Sequence, residues 1–245
     1  MPRPARRALA ALATAVLLAS CSSDSITGPN AAVAAAYAGP HPILFVHGWN
    51  SSGSVWTTMI GRFQTEGFPA DRLYSWSYNT AQSNATTAQQ LGARIDEIML
   101  ATGAPKVDLV THSMGGLSAR YYVKNLGGGP KVDAWVSLGG PNHGTNTAFA
   151  CLQVSCLEMR PKSSFLTALN RKDETPGAPR YATYWSPCDE VINPQTSTPL
   201  KGATNSQTAC LRHSDLHQNA TVYAQVRDWV GWQGSALLAA GTTAP

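Results

Sequence analysis

The sequence predicts an α/β fold: a mostly parallel central sheet with helices on both faces and a minimal cap. Three observations carry this. Short apolar runs bounded by turn residues recur at Ile43–Val46, Val107–Val110 and Val132–Leu138. Stretches with helical apolar spacing stand between them. The chain has 245 residues, 43% of them hydrophobic, which is enough for one large core. Strands that read as continuous apolar runs are buried on both faces, and their alternation with helices implies parallel crossovers.

The elements follow in order. Ile43–Val46 reads as a buried strand, and Val55 to Phe63 has helical spacing. Leu73 to Tyr78 alternates apolar with polar residues and predicts a second strand. Thr86 to Ala101 predicts a helix with Leu91, Ile95, Ile98 and Met99 on one face. Val107–Val110 is a strand, Leu117 to Leu126 a helix, and Val132–Leu138 a strand again. From Gly144 to Arg180 the rhythm breaks, with one short helix expected over Ser163–Asn170. That segment is expected either as a cap or as an inert surface insertion. As a cap it would offer Phe149, Leu152, Leu157, Met159 and Phe165 as lining residues. Tyr181–Trp185 is a late strand, and a last helix follows His217.

The ends read differently. Arg3, Arg6 and Arg7 precede an apolar stretch from Ala8 to Ala19, which closes on Leu18-Ala19-Ser20-Cys21. This pattern predicts a lipoprotein signal over residues 1–21, with Cys21 as the lipidated residue. Residues 22–40 are rich in Ser, Ala, Gly and Asn and read as a flexible tether. The main folded domain is expected over 41–233 and a tail over 234–245. The protein is therefore expected to be exported, either held at a membrane surface by its N-terminal lipid or secreted. Apart from Cys21, four cysteines remain, Cys151, Cys156, Cys188 and Cys210, and an even number in an oxidising compartment predicts two disulfides.

Composition excludes other classes. The formal net charge is +4 with only 13% charged residues, and no Lys/Arg cluster marks the chain beyond its leader, so nucleic acid is not an expected partner. No Cys/His cluster has zinc spacing and no acidic loop reads as calcium-binding, so no metal or other cofactor is expected.

The chemistry concentrates after the third strand. Thr111-His112-Ser113-Met114-Gly115 places a serine where a buried strand turns into a helix. A nucleophile elbow has this form, usually G-x-S-x-G, and threonine stands here at the first position. A plain helix N-cap is the alternative reading of the same serine. His47-Gly48-Trp49 follows the first strand. Acyl transfer needs backbone N–H donors where negative charge develops on oxygen. The Met114 and Trp49 amides are placed to supply them, with His47 holding the loop.

Four stretches, HPILFVHGWN, VDLVTHSMGG, YYVKNLGGGPKV and VSLGGPNHGT, together resemble the small secreted bacterial lipases of the Bacillus type, the class 2 lipases of the α/β-hydrolase superfamily. The resemblance runs from about Pro42 to Val230. It implies a Ser-His-Asp triad in the chain order Ser, Asp, His. The turn after Tyr181–Trp185 would bear the acid, Asp189, with Glu190 as the near alternative. Family spacing counted from Asn205 falls on His213 as the base. His217 is then expected at the surface, and His143 at the rim of the site. The triad also implies pairing of Cys188 with Cys210, whose neighbours it brings together, and leaves Cys151–Cys156 as a local loop.

The function so implied is hydrolysis of lipid or other acylglycerol-type esters by a monomer. The alternatives are a polyester depolymerase, or a non-catalytic surface lipoprotein that binds a hydrophobic ligand.

Overall fold

A computed structural model describes residues 39–232. The leader with Cys21, nearly all of the tether and the Gly234–Pro245 tail lie outside the described residues. No described helix is long and apolar enough to cross a membrane.

Six parallel strands form one sheet: β1 (Ile43–Val46), β2 (Leu73–Trp76), β3 (Val107–His112), β4 (Val132–Leu138), β5 (Arg180–Trp185) and β6 (Thr204–Gln207). Their order across the sheet is β2-β1-β3-β4-β5-β6. The helices are α1 (Thr57–Thr65), α2 (Asn84–Thr102), α3 (Gly115–Asn125), α4 (Val154–Met159), α5 (Ser164–Asn170) and α6 (Ala220–Trp229).

Burial explains why the strands read as apolar runs. All four residues of β1 and all six of β3 are buried. Successive side chains point to opposite faces. Ile43 and Phe45 join Met59 and Phe63 of α1 and Val226 of α6 on one face. Leu44 and Val46 join Leu91, Ile95 and Ile98 of α2 and Tyr122 of α3 on the other.

The predicted strands and helices are present, with small shifts at their ends. β2 is shorter than expected, ending at Trp76 rather than Tyr78. β6 gave no signal in the sequence. Its four residues, Thr-Asn-Ser-Gln, are polar, and as the edge strand it buries none of them fully. Its partner is β5, and the Asn205 amide braces the turn before it by accepting from the Leu200 amide at 2.9 Å.

The strand order sets the site. From β1 the chain goes to one neighbour, β2, and then returns to pair β3 on the other side. The crossovers therefore diverge between β1 and β3, and a crevice opens at their carboxyl ends. Val46 pairs with Thr111, so His47 and His112 leave the sheet side by side.

The 144–180 segment packs against the end of the sheet domain. Met159, Leu166 and Leu169 pack on Met114 and Leu117 at the start of α3. Of the five residues expected to line a cavity, only Met159 does so. Phe149, Leu152 and Leu157 are exposed, and Phe165 stacks on Tyr121 with ring centroids 5.6 Å apart. A helical stripe alone does not say which side the sheet will cover.

Candidate active site

Ser113 sits between β3 and α3 with φ of 55°. This left-handed conformation is costly for a serine and persists only where surrounding structure imposes it. The impositions are visible. The Ser113 amide donates to the Leu138 carbonyl at 2.9 Å. A Cβ on Gly115 would stand 2.5 Å from the His47 carbonyl oxygen, so only glycine lets α3 pass the end of β1 so closely. Thr111, at the position usually held by glycine, is fully buried and donates its hydroxyl to the Val136 carbonyl at 2.7 Å. Its larger side chain is accommodated because it bonds β4 and faces Gly116 of α3, where a Cβ would stand 3.2 Å from its hydroxyl oxygen.

The β1 loop approaches as expected. A Cβ on Gly48 would lie 2.7 Å from the Ser113 Cβ, so the loop lies against the serine. Neither the Trp49 nor the Met114 amide has a hydrogen-bond acceptor among the described residues. His47 is buried, donates Nδ1–H to the Gly48 carbonyl at 2.8 Å and stacks on Tyr78 at 4.3 Å. It holds the loop.

The turn after β5 and the loop after β6 bring Asp189 and His213 together. His213 Nδ1 lies 2.8 Å from Asp189 Oδ2. The other carboxylate oxygen accepts from the Val191 and Ile192 amides at 2.9 and 2.8 Å, which fixes the direction of the group. Asp189 is 2% exposed and His213 8%. Gly139, at φ 57°, makes room for the pair, since a Cβ there would stand 3.1 Å from Asp189 Oδ2 and 3.2 Å from His213 Nδ1.

Three further links tie these two loops. Cys188 and Cys210 form a disulfide with Cα atoms 5.0 Å apart. Ser186 donates to the Leu211 carbonyl at 2.6 Å and accepts from the Leu211 amide at 2.8 Å. Glu190 does not face the His213 ring but accepts from its backbone amide at 3.1 Å. The roles of Ser186 and Glu190 carry no signal in the sequence, because both depend on a loop some 25 residues away in the chain. The second disulfide, Cys151–Cys156, staples the start of α4.

Ser113, His213 and Trp49 line one cavity of about 410 Å³. Much of its remaining wall is apolar, from Val55, Ala148, Met159 and Ile192. The Ser113 hydroxyl makes no hydrogen bond among the described residues. Trp49 spans the mouth, its indole Nε1 donating to Gln153 at 2.6 Å.

Two histidines depart from expectation. His143 does not line the cavity; it bonds the Ser197 carbonyl and Glu174 instead. His217 is not at the surface. It is 4% exposed and lines the cavity, its ring against Trp56 at 5.7 Å and edge-on to His112 at 4.7 Å. The chain folds back before α6, so a residue that looks like a helix lead-in points inward.

Burial, then the neighbouring His213, lowers the His217 pKa to about 4. Burial also holds His112 well below the ordinary range and lowers His47. These groups are neutral when folded and protonated when unfolded at mildly acid pH. Stability is therefore full above pH 6.5 and falls as pH drops toward 4. His217 alone contributes a loss on the order of 2 kcal/mol by pH 5. Urea midpoints at pH 7.5, 6.5 and 5 check this, with His217→Phe expected to flatten the slope. A midpoint constant over that range contradicts it.

Among the described residues one group, His41, Asp108 and Asp133, gathers three metal-ligand atoms within 4.8 Å. It stands at the amino ends of the strands, away from Ser113, and Asp133 already bonds Arg180 at 2.8 Å and Lys106 at 3.4 Å.

A family model described as Lipase (class 2) matches residues 40–228. The chain belongs to the class 2 lipases. A curated relative, triacylglycerol lipase of Burkholderia plantarii, is 29% identical over 155 residues, 60% of this chain and 42% of the relative. The chain thus spans under half the length of that curated relative. Among solved structures, the mature Bacillus licheniformis lipase BlEst2 superposes with a TM-score of 0.70 at 17% identity, over 79% of this chain and 93% of that one. Aspergillus fumigatus lipase B superposes with a TM-score of 0.67 at 16% identity, over 85% and 59%. At such identities the likeness is one of fold, the α/β-hydrolase fold.

Proposed function

We propose that this class 2 lipase hydrolyses carboxylic esters of the acylglycerol type through Ser113, His213 and Asp189. The observation that carries the reading is the 2.8 Å contact of His213 Nδ1 with a buried carboxylate, beside a serine held at φ 55° on the wall of the same cavity.

The proposed steps use these groups in turn. His213 Nδ1–H donates to Asp189, which leaves the lone pair on Nε2. Nε2 takes the Ser113 proton as Oγ attacks the ester carbonyl. The oxyanion is received by the Trp49 and Met114 amides, which have no other acceptor among the described residues. Collapse expels the alcohol, protonated by His213, and leaves an acyl-enzyme. Water then repeats the attack and returns Ser113.

Cavity size supports a small lipid or ester substrate, since pockets of about 300–1,000 Å³ hold ligands of this kind. Leu152 and Phe149, 83% and 58% exposed beside the mouth, suit a substrate presented at an apolar surface. Two disulfides accord with an exported protein. Anchoring through a lipid on Cys21 would keep the domain at a membrane surface.

Hydrolysis of p-nitrophenyl esters from acetate to palmitate tests the reading. Turnover is expected, with the preferred chain set by the wall of Met159, Ala148 and Ile192. Folded protein inactive on the whole series would overturn it.

A further inference from the structure

His217 has no part in the mechanism, yet it lines the cavity that holds Ser113 and His213. Its surroundings, Trp56 on one side and His112 on the other, would accept a leucine or phenylalanine with no polar atom left over. Instead there is an imidazole whose Nδ1 is sealed from solvent and bonds no other residue, with its own backbone carbonyl against the ring. The ring is neutral at working pH, because burial lowers its pKa to about 4. A neutral imidazole carries one N–H and one lone pair. The backbone carbonyl can only accept, so the N–H falls to Nδ1 and the lone pair to Nε2. Any ligand reaching the ring from the cavity then meets an acceptor.

Chemistry says which part of the substrate that is. His213 hands its proton to the leaving oxygen, so the alcohol of the ester lies along the base loop. His217 is four residues further along that loop. Of the other polar side chains of the cavity wall, Asn50 and Ser214 are exposed, Ser51 is half-buried, and Thr145 and Thr147 both spend their hydroxyls on the Val191 carbonyl at 2.6 Å. The remaining wall of Ala148, Met159 and Ile192 is apolar and suits the acyl chain.

We propose that His217 is a specificity residue whose Nε2 accepts from a hydroxyl on the alcohol part of the ester, so that this lipase favours partial glycerides over esters of plain alcohols. The inference rests on the proposed ester hydrolysis.

The test compares 1-monobutyrin with propyl butyrate, which has the same acyl chain and carbon skeleton but lacks the hydroxyls. The readout is the ratio of their kcat/KM values. Wild type is expected to favour monobutyrin by about tenfold. In His217→Leu the ratio falls to near one, and in His217→Gln, which keeps an acceptor, most of it is retained. A purely structural role for His217 would lower both rates together and leave the ratio unchanged. An unchanged ratio in His217→Leu, or a wild-type ratio near one, overturns the proposal. His217→Phe carries the same comparison if the leucine variant does not fold. Hydrolysis of propyl butyrate without selectivity would leave the ester-hydrolase reading standing and remove this one. Folded wild type that hydrolyses neither ester would remove both.

Discussion

His213→Ala is expected to lower kcat on p-nitrophenyl butyrate by at least about 10⁴-fold, and Asp189→Asn by a similar factor. The two losses have different causes. Without His213 no group is left to accept the Ser113 proton. His217 lies nearby but is no substitute, since a base with a pKa of about 4 holds a proton too weakly to drive the attack. Asp189→Asn leaves the architecture in place. Its amide oxygen can still accept from the Val191 and Ile192 amides, as Oδ1 does now. That arrangement aims the NH₂ at His213 Nδ1, where a donor now meets a donor. The ring must move its proton to Nε2, and the nitrogen that faces the substrate can no longer act as a base. An Asp189→Asn enzyme within about tenfold of wild type would assign the acid elsewhere. Glu190→Gln then becomes the next comparison, although Glu190 bonds the His213 backbone and pairs with Arg212 rather than with the His213 ring.

Removing the Cys188–Cys210 disulfide with paired serines is expected to cost stability and activity together. The crosslink closes a loop with a sequence separation of 22 residues. Chain entropy puts its contribution at about 3 kcal/mol. For a domain of this size that is a fall in Tm of about 10 °C. The activity loss has a local origin, because the bond joins the residue next to Asp189 to the loop that carries His213. The Ser186 and Glu190 hydrogen bonds to that loop remain, so the acid–base pair is loosened rather than lost. Cys151–Cys156 supplies the contrast. Its separation is 5 residues, its expected contribution about 2 kcal/mol, and it touches neither the acid nor the base. Thermal melts and kcat on one ester for both double mutants check the difference. Equal loss of activity in the two would contradict the bracing role.

What the sequence made legible was whatever depends on near neighbours in the chain. β1, β3 and β4 announce themselves because strands buried on both faces must be apolar throughout. The strand–serine–glycine pattern around Ser113 was legible because the tight passage of α3 past β1 demands Gly115 at a fixed offset. Asp189 and His213 were reached only by resemblance. Their pairing is a contact across loops, and the local sequence around each would suit a solvated turn. β6 escaped because an edge strand of Thr-Asn-Ser-Gln buries too little to impose an apolar pattern. The short α4 has six residues and a cysteine staple, too few to show a periodicity. His217 was misjudged for a related reason. Whether a residue before a helix faces in or out depends on how the preceding loop folds back, and here that loop is held by the disulfide, Ser186 and Glu190.

The central claim is that Ser113 is the nucleophile, and its most direct test is reaction with a p-nitrophenyl alkylphosphonate. Oγ would displace p-nitrophenolate at phosphorus and remain bonded as a stable phosphonate ester in the site built for the oxyanion. The account predicts one equivalent of p-nitrophenolate released per chain, one phosphonyl group mapped to the peptide that carries Ser113, and loss of esterase activity in proportion. Ester turnover that survives full treatment, or a label found on any residue other than Ser113, would contradict it.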